Sequence, residues 1–224
     1  MNILITGVSR GIGEELLNLA IKSDNITRIF ACTSSGEAFK DNKKVKFLQF
    51  NFNEQESIEA LAASIDGAEI NIMINNAGFL QQQLYKDMTL TDAKKIFDIN
   101  FWGPYMLIQI LLPNLIKGKG HVVNIGSMGG FQGSGKFSGL SVYSASKAAL
   151  ANLTECLAEE HKDHHVSFNC LALGAVDTEM LKKAFPTYKA DITPYTMAKF
   201  ILNFAMNSGS VINGKVIPVS TSTP

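Results

Sequence analysis

A tyrosine and a lysine stand four residues apart in the segment SVYSASKAAL, at positions 141–150. Residues at this spacing lie on one face of an α-helix, so Tyr143 and Lys147 are predicted to face the same cleft. A free phenol has a pKa of about 10 and keeps its proton at neutral pH. Because a nearby cation favours the phenolate, the pair predicts a tyrosine with a lowered pKa that can act as a general acid.

The segment ITGVSRGIG, which spans Ile5–Gly13, predicts a binding site for a diphosphate. It follows an apolar run and precedes an amphipathic one, so Gly7, Gly11 and Gly13 should lie between a strand and a helix. Glycines let the backbone turn and approach a ligand closely, and the free amides at a helix start attract phosphate. The spacing is G-x3-G-x-G rather than the commoner dinucleotide pattern, and an ordinary glycine turn is the alternative.

Short apolar runs rich in β-branched residues alternate with longer amphipathic segments. Since the runs are apolar along most of their length, both faces of the sheet that they form should be covered. The sequence therefore predicts an α/β fold, a three-layer doubly wound parallel sheet of about seven strands, with ligand sites at the carboxyl strand ends. The predicted strands are Ile3–Thr6, Ile26–Cys32, Val45–Phe50, Ile70–Ile74, His121–Ile125, Val166–Ala172 and Lys215–Val219.

Length and charge predict one domain with a small-molecule partner. The chain has 224 residues, 46% of them hydrophobic, which suits one sizeable core over residues 1–224. Its 20 basic and 20 acidic residues cancel, so no wide electrostatic field is available to attract nucleic acid or anionic lipid. The most apolar segment, Tyr105–Leu115, is shorter than the roughly 20 residues of a membrane helix, and no membrane partner is expected.

Cysteine usage and the N-terminal sequence predict a cytoplasmic protein. Cys32, Cys156 and Cys170 lie in apolar surroundings and form no CxxC pair, so they are expected to be buried thiols in a reducing compartment. The chain opens MNILITG, without a basic segment followed by an apolar one, and no secretion signal is expected. The histidines of HKDHH, at His161–His165, lack the cysteine or carboxylate partners of a metal site, so no metal is predicted.

Five segments, in order along the chain, resemble the motifs of the short-chain dehydrogenase/reductase family. They are TGVSRGIG, NNAG at Asn75–Gly78, Asn100 in FDIN, Ser127 in NIGS, and YSASK at Tyr143–Lys147. The resemblance spans nearly the whole chain and implies a Rossmann fold. The compact C-terminal end, GKVIPVSTSTP, further resembles the C-factor and sniffer-type carbonyl reductase branch.

The resemblance implies a catalytic tetrad of Asn100, Ser127, Tyr143 and Lys147. In the family pattern, Tyr143 is the general acid and Ser127 hydrogen-bonds the substrate carbonyl. Lys147 also holds the nicotinamide ribose, and Asn100 fixes a water that connects Lys147 to solvent. The implied reaction is hydride transfer between the nicotinamide and a carbonyl carbon, with Tyr143 delivering the proton.

NADP(H) is the predicted cofactor, in preference to NAD(H). The second strand ends ACTSS, without the acidic residue that accepts from a free ribose hydroxyl and repels a phosphate. Thr33 and Ser34 can donate to a phosphate, and Arg10 stands where NADP-preferring members often carry a basic residue, although a solvent-facing Arg10 is the alternative. Asn75 is expected to brace the sheet. The cofactor-binding residues implied by the resemblance are Gly7, Ser9, Arg10, Gly11, Ile12, Gly13, Thr33, Ser34, Asn51, Phe52, Asn76, Ala77, Gly78, Tyr143, Lys147, Gly174, Val176 and Thr178.

The substrate side is expected to be apolar. Leu173 replaces the family's proline after the sixth strand, and a lid over the substrate is predicted at about 179–194. The loop Gly126–Gly139 is dense in glycine and is expected to be mobile. The apolar residues proposed to line the pocket are Met128, Phe131, Phe137, Met180, Leu181, Ala184, Phe185 and Tyr188.

The predicted function is an NADP(H)-dependent oxidoreductase, a carbonyl reductase or alcohol dehydrogenase. A non-catalytic NAD(P)-binding sensor or signalling protein on the same fold is the alternative, because fold alone does not determine activity. An epimerase or dehydratase would need a longer C-terminal substrate domain. The apolar helical segments Asp98–Ile116 and Ser144–Glu160 often form a dimer interface in the family, so a homodimer or homotetramer is expected.

Overall fold

The computed structural model describes residues 1–34, 42–51, 55–65 and 67–221, and Phe52, predicted to contact the cofactor, lies outside these ranges. The strands are β1 (Asn2–Thr6), β2 (Arg28–Thr33), β3 (Val45–Gln49), β4 (Ile72–Asn75), β5 (His121–Ser127), β6 (Ser167–Leu173) and β7 (Lys215–Val219). The helices are α1 (Gly11–Lys22), α2 (Gln55–Ile65), α3 (Leu90–Phe97), α4 (Gly103–Gly118), α5 (Ser141–Glu160), α6 (Glu179–Ala184) and α7 (Pro194–Asn207).

The seven strands form one parallel sheet in the order β3-β2-β1-β4-β5-β6-β7. This confirms the predicted fold class. The strand order runs outward in opposite directions from β1 and β4, and such a switch opens a crevice at the carboxyl ends of the strands. β2 and β4 each begin two residues later than predicted. Ile26 and Ile70, the first residues of the predicted strands, are buried but lie in the connections that lead into these strands.

Helices cover both faces of the sheet because alternate strand residues point to opposite sides. Ile3 and Ile5 pack with α1 and α7 in one core cluster, which includes Leu16 and Ile201. Leu4, between them in β1, packs on the other face in a cluster formed with α2, α4 and α5. The result is the predicted three-layer arrangement, with the two cores separated by the sheet.

The segment between β4 and β5 contains a nearly continuous helix. A π-helical turn at Asp98–Trp102 joins α3 to α4. The stretch Leu90–Gly118 is the one helix of the described ranges that is long and apolar enough to cross a membrane by length and composition, a test that core helices of soluble proteins also pass. Leu107, Leu111 and Leu115 of α4 are buried in the core, which accounts for part of its apolar character.

The prediction of three buried thiols is wrong for one of them. Cys32 and Cys170 are buried, whereas Cys156 is exposed, and all three are free. Cys32 and Cys170 lie in the central strands β2 and β6. Cys156 lies on α5, and its sequence neighbours Leu157 and Ala158 are apolar because the next helical positions turn toward the core.

His121, the first residue of β5, is fixed by hydrogen bonds at both ring nitrogens. Its Nδ1 lies 3.0 Å from the carbonyl oxygen of Ala205, and its Nε2 lies 2.9 Å from the side-chain nitrogen of Asn169. The carbonyl only accepts and the amide nitrogen only donates, so this geometry requires a neutral ring with the proton on Nδ1. Burial lowers the pKa of His121 below its ordinary value of 6.5.

We expect the free energy of unfolding to fall as the pH drops below about 6.5, since the unfolded chain then binds a proton that folded His121 resists. This contribution is fully present above the unfolded pKa and is lost as the pH decreases. Denaturant unfolding between about pH 8 and about pH 5 measures the slope. The slope should be smaller in His121→Gln and unchanged in His165→Asn, which alters an exposed histidine. Equal slopes in the protein and in His121→Gln would contradict this assignment.

Candidate active site

A cavity of about 740 Å³ opens at the carboxyl ends of the strands, where the strand order reverses. Its volume lies in the range of small-molecule and cofactor sites. Those cofactor residues predicted from the sequence that belong to the described ranges all line it: Gly7, Ser9, Arg10, Gly11, Ile12, Gly13, Thr33, Ser34, Asn51, Asn76, Ala77, Gly78, Tyr143, Lys147, Gly174, Val176 and Thr178. Residues that are distant in sequence therefore meet in one cleft.

The loop between β1 and α1 has the geometry of a phosphate cradle. A Cβ on Gly13 would lie 1.9 Å from the carbonyl oxygen of Gly7, and a Cβ on Gly7 would lie 2.8 Å from the Cα of Ala77. The side chain of Arg10, at the N-cap of α1, makes no capping hydrogen bond, and the residues of the helix start, Gly11, Ile12 and Gly13, line the cleft. A diphosphate fits this cradle, because it needs close backbone approach and donors at a helix N-terminus.

Asn76 holds the glycine loop to the end of β4. Its side-chain nitrogen donates to the carbonyl oxygens of Thr6 and Gly7, at 3.0 and 3.1 Å. The amide of Ala77 donates to the hydroxyl of Thr6 at 3.0 Å. Together these bonds join the ends of β1 and β4. Asn76 lines the cleft, but its side-chain nitrogen binds the backbone of the glycine loop.

A second amide pair braces the sheet below the cleft. The side-chain nitrogen of Asn75 donates to the side-chain oxygen of Asn124 in the neighbouring strand β5, at 2.7 Å. Asn124 in turn donates to the hydroxyl of Thr154 on α5, at 2.9 Å. Asn75 thus has the bracing contacts expected from the sequence, and the network extends from β4 to the helix that carries Tyr143.

Ser127 and Tyr143 both line the cavity wall. Ser127 ends β5 and Tyr143 lies in the first turn of α5, so the strand end and the helix start bring them together. Burial raises the pKa of Tyr143, and its hydrogen bond with the Ser127 side chain partly offsets this rise. The sequence predicted a lowered pKa, and that prediction is wrong because desolvation outweighs the expected effect of the neighbouring cation.

Lys147 explains this difference because its ammonium lies deeper than the helical spacing indicates. The side chain is 4% exposed, and Nζ donates to the carbonyl oxygen of Ile125 at 2.8 Å. Burial lowers the pKa of Lys147 to about 8, while the nearby Cys170 opposes this shift. A Cβ on Gly78 would lie 3.4 Å from Nζ, so the ammonium stands directly behind the NNAG turn. Its hydrogen bond is therefore directed toward the backbone of β5.

Asn100 lies behind the cavity and does not line it. The side chain accepts from the amide of Phe79 at 2.8 Å and donates to the carbonyl of Phe79 at 2.9 Å. It also donates to the Ser146 hydroxyl at 3.0 Å, and this hydroxyl donates to the carbonyl of Tyr143 at 2.7 Å. Asn100 therefore ties the NNAG turn to α5. Ser146 was not predicted as part of the site, although it lies between Tyr143 and Lys147 in the YSASK segment.

The substrate side of the cavity is apolar, with two corrections to the predicted lining. Phe131 and Ala184 do not line it: Phe131 lies in a turn where its carbonyl accepts from Ser134, and Ala184 is buried on the inner side of α6. The predicted residues that do line it are Met128, Phe137, Met180, Leu181, Phe185 and Tyr188. Leu80, Leu140 and Ser220, which were not predicted, line the same cavity, as does Glu179 at the start of the predicted lid.

The loop that begins with Gly126 is more ordered than a glycine-rich sequence indicates. Gly126 and Ser127 belong to β5, and a 3-10 turn follows at Met128–Gly130. The Ser134 hydroxyl bonds the carbonyl of Met128, and Lys136 donates to the carbonyl of Phe131 at 2.7 Å. These bonds hold the backbone of the segment that leads to Phe137.

Comparison with known proteins identifies the family. The family model described as short chain dehydrogenase matches residues 1–189. The chain is 31% identical over 240 aligned positions to the 3-oxoacyl-(acyl-carrier-protein) reductase FabG of Aquifex aeolicus (strain VF5), covering 97% of this chain and 94% of that protein. The chain therefore belongs to the short-chain dehydrogenase family and is an NAD(P)-dependent oxidoreductase.

Solved structures show the same fold. ElxO with NADP bound superimposes with a TM-score of 0.84 at 25% identity, covering 97% of this chain and 96% of that one. The 3-ketoacyl-(acyl-carrier-protein) reductase from Brucella melitensis complexed with NADH gives 0.83 at 19% identity, over 97% and 96% of the two chains. These neighbours carry different nicotinamide cofactors. The C-factor and sniffer-type branch stays a prediction, because the relative from Aquifex aeolicus is a 3-oxoacyl reductase.

Among the described residues, no group of three or more histidine, cysteine, aspartate or glutamate side chains is placed to hold a metal ion. His161 and His164 do approach each other, with their Nδ1 atoms 3.3 Å apart. The polar groups that line the cavity include hydroxyls, the buried ammonium of Lys147 and the exposed charges of Arg10 and Glu179.

Asn76→Asp is expected to lower the free energy of unfolding by about 1–3 kcal/mol, because it replaces the donor to two carbonyl oxygens with an acceptor. It should also raise the Kd for NADPH, since the glycine loop loses its tie to β4. Denaturant unfolding and calorimetric titration measure the two effects. Asn114→Asp is the control, because it breaks an amide bond to the carbonyl of Ala68 outside the cavity. The assignment fails if both variants weaken NADPH binding equally.

Proposed function

We propose that the protein is an NADP(H)-dependent carbonyl reductase or alcohol dehydrogenase with Tyr143 as general acid and base. The observation that carries this proposal is that Ser127 and Tyr143 line the wall of one cavity, where the Ser127 side chain opposes the rise in the Tyr143 pKa. The glycine cradle and the apolar residues line the same cavity as this pair. A carbonyl group that accepts from both hydroxyls would therefore share the cavity with a nicotinamide whose diphosphate occupies the cradle.

The residues supply position and a proton. The bound nicotinamide supplies or accepts the hydride, and a carbonyl and a hydroxyl are the two forms of the substrate. In reduction, Ser127 donates a hydrogen bond to the carbonyl oxygen and Tyr143 gives that oxygen its proton. The raised pKa of Tyr143 keeps the phenol protonated at neutral pH, so the proton to be transferred is present, but it also makes the phenol a weaker acid than one whose pKa lies near the working pH. In oxidation Tyr143 must first lose its proton, so that direction is favoured by higher pH.

Lys147 assists as a buried cation. A pKa of about 8 leaves it largely protonated at neutral pH. Its contact with the carbonyl of Ile125 and its place behind Gly78 put the charge near the floor of the cavity, where a ribose hydroxyl would accept from it. Asn100 keeps the Gly78 turn at this distance through Phe79. In this proposal, Asn100 acts by positioning and the other three residues of the tetrad contact the ligands.

The choice of NADP(H) rests on charge. Thr33 and Ser34 line the cavity beyond β2, and Arg10 lines it beside the glycine loop. Arg10 also lies 3.8 Å from Glu179 at the start of α6, with both side chains largely exposed. An exposed ion pair at this distance contributes little stability, so a ribose phosphate can compete for Arg10. Glu179, absent from the sequence argument, therefore opposes the preference for NADP(H) that Arg10 creates.

Three further features belong to this proposal. The segment at about 179–194, which begins with α6, acts as the lid, because Met180, Leu181, Phe185 and Tyr188 form a cavity wall. The chain forms a homodimer or homotetramer through α4 and α5, supported by Trp102, which is 47% exposed beside the rings of Phe101 and Tyr105. It acts in the cytoplasm on a small molecule, without a nucleic-acid or membrane partner.

Tyr143→Phe is expected to reduce kcat for NADPH-dependent carbonyl reduction by roughly 100- to 10,000-fold, since it removes the proton donor. Affinity for NADPH should change little, because the ring remains in the cavity wall. Initial rates and a thermal shift with NADPH measure the two quantities. Tyr195→Phe, which alters an exposed tyrosine of α7, is the control. Unchanged turnover in Tyr143→Phe would refute the mechanism, and NADPH binding without turnover in the unmodified protein would favour the sensor alternative.

Arg10→Ala is expected to raise the KM for NADPH by about tenfold while leaving the KM for NADH unchanged, because a charge-assisted hydrogen bond to the phosphate is lost. Glu179→Gln should lower the KM for NADPH, because Arg10 is freed from its partner. Steady-state kinetics with both nucleotides measure the ratio, and NADH is the internal control. An equal change for the two nucleotides in Arg10→Ala would contradict the charge argument.

A further inference from the structure

The substrate end of the cavity is built from two walls that touch each other. One wall comes from the loop after β5, with Met128, Phe137 and Leu140, and the other comes from α6 and the residues after it. Phe137 and Phe185 make an edge-to-face contact between these walls, with ring centroids 5.8 Å apart and an interplanar angle of 63°. Phe137 is 44% exposed and both rings line the cavity, so the pair lies where this end of the cavity meets solvent.

The charged side chains that line the cavity, within the described ranges, are Arg10, Lys147 and Glu179. Arg10 and Glu179 pair with each other beside the glycine loop. The ammonium of Lys147 is bonded to the backbone below the proposed reaction centre. A substrate group that points from Tyr143 toward Phe185 therefore meets apolar carbon and the phenol of Tyr188, without a charged partner.

Four lysines belong to these two walls, Lys136, Lys182, Lys183 and Lys189, and none of them lines the cavity. Lys136 donates to the carbonyl of Phe131 and to the Ser134 hydroxyl, at 2.7 and 2.8 Å. Lys182 forms an ion pair with Asp177 at 2.9 Å. A carboxylate or phosphate on the substrate would lose its hydration on entering this end and would gain no cation in return, which is unfavourable.

We propose that the substrate is a neutral carbonyl compound with an apolar, preferably aromatic, substituent, and that Phe137 and Phe185 determine this specificity by enclosing that substituent. An aryl ring can replace the contact between the two phenyl rings by edge or face contacts with each of them. The inference rests on the proposed function: the reaction is the NADPH-dependent reduction described above, with a secondary alcohol as the product from a ketone. It adds the chemical class of the substrate and the residues that select it.

A matched pair of ketones tests the charge argument. The probes are para-methylacetophenone and para-acetylbenzoate, which share a ring and a carbonyl and differ in a methyl or a carboxylate group. We expect kcat/KM with NADPH to be at least about 10-fold higher for the neutral ketone, because the carboxylate has no partner at this end of the cavity. Acetoacetyl-acyl carrier protein is the third probe, since the Aquifex aeolicus relative is named as a reductase of carrier-linked substrates.

Variants test the two phenylalanines. Phe137→Ala and Phe185→Ala should each raise the KM for the neutral ketone by about 10-fold or more, as expected when an apolar pocket loses contact area. Phe185→Leu should retain most of the affinity. Phe185→Lys should reverse the preference toward the carboxylate. Phe200→Ala is the matched control, because Phe200 is an aromatic residue of α7 that is 43% exposed and lies outside the cavity. A thermal shift with NADPH verifies that each variant folds.

The outcomes separate the two proposals. If none of the three probes is reduced by the unmodified protein, both the specificity and the proposed function fail. If reduction occurs but the carboxylate or the carrier-linked substrate has the higher kcat/KM, the specificity is overturned while the proposed function stands. The same conclusion follows if the ratio of the two ketones is unaffected by Phe185→Lys. A neutral preference that depends on both phenylalanines supports the inference.

Discussion

The close approach of the β1–α1 loop to the end of β4 is the constraint on which the site depends. Gly7 crosses Ala77 at a distance that leaves no room for a Cβ, and Gly13 packs against the carbonyl of Gly7. Asn76 completes this junction through bonds to the backbone of the loop. Without the junction, the helix N-terminus of α1 would not face the same cleft as Tyr143. The parallel sheet explains why it lies here, since the strand ends meet at the edge where the order reverses.

Burial sets the chemistry of the two titrating groups above this junction. The pKa of Tyr143 is raised and that of Lys147 is lowered, so burial disfavours the charged form of each. The phenol is therefore neutral at neutral pH, and the ammonium titrates closer to neutrality than an exposed lysine does. The same low polarity that shifts these pKa values also makes the substrate end unsuited to ions, so the electrostatics of catalysis and of specificity have one physical origin.

Periodicity and motif order predicted the fold class and the residues that line one cleft. They did not predict how deeply each side chain is buried or in which direction it points. Helical spacing placed Tyr143 and Lys147 on one face, yet it contains no information on how far a lysine side chain extends, and Nζ reaches the backbone of β5. Apolar composition likewise marked Ile26 as strand and Cys156 as buried, although the first lies in a connection and the second faces solvent. Such errors arise because the hydrophobicity of a segment indicates that part of it is buried. It does not show whether a residue belongs to a strand or to a connection, or which side chain of a helix faces solvent.

The wall formed by α6 shows why the shape of the pocket was least predictable. This short helix is capped by Thr178, and residues at its two ends reach across the cleft: Glu179 to Arg10, and Phe185 to Phe137. An exposed ion pair contributes about 0–1 kcal/mol and an aromatic pair about 0.5–1.5 kcal/mol, so neither contact fixes the helix strongly. Ligand contacts of similar free energy can replace either one. A sequence pattern identifies such a segment by its apolar residues, whereas its position follows from small differences between competing long-range contacts.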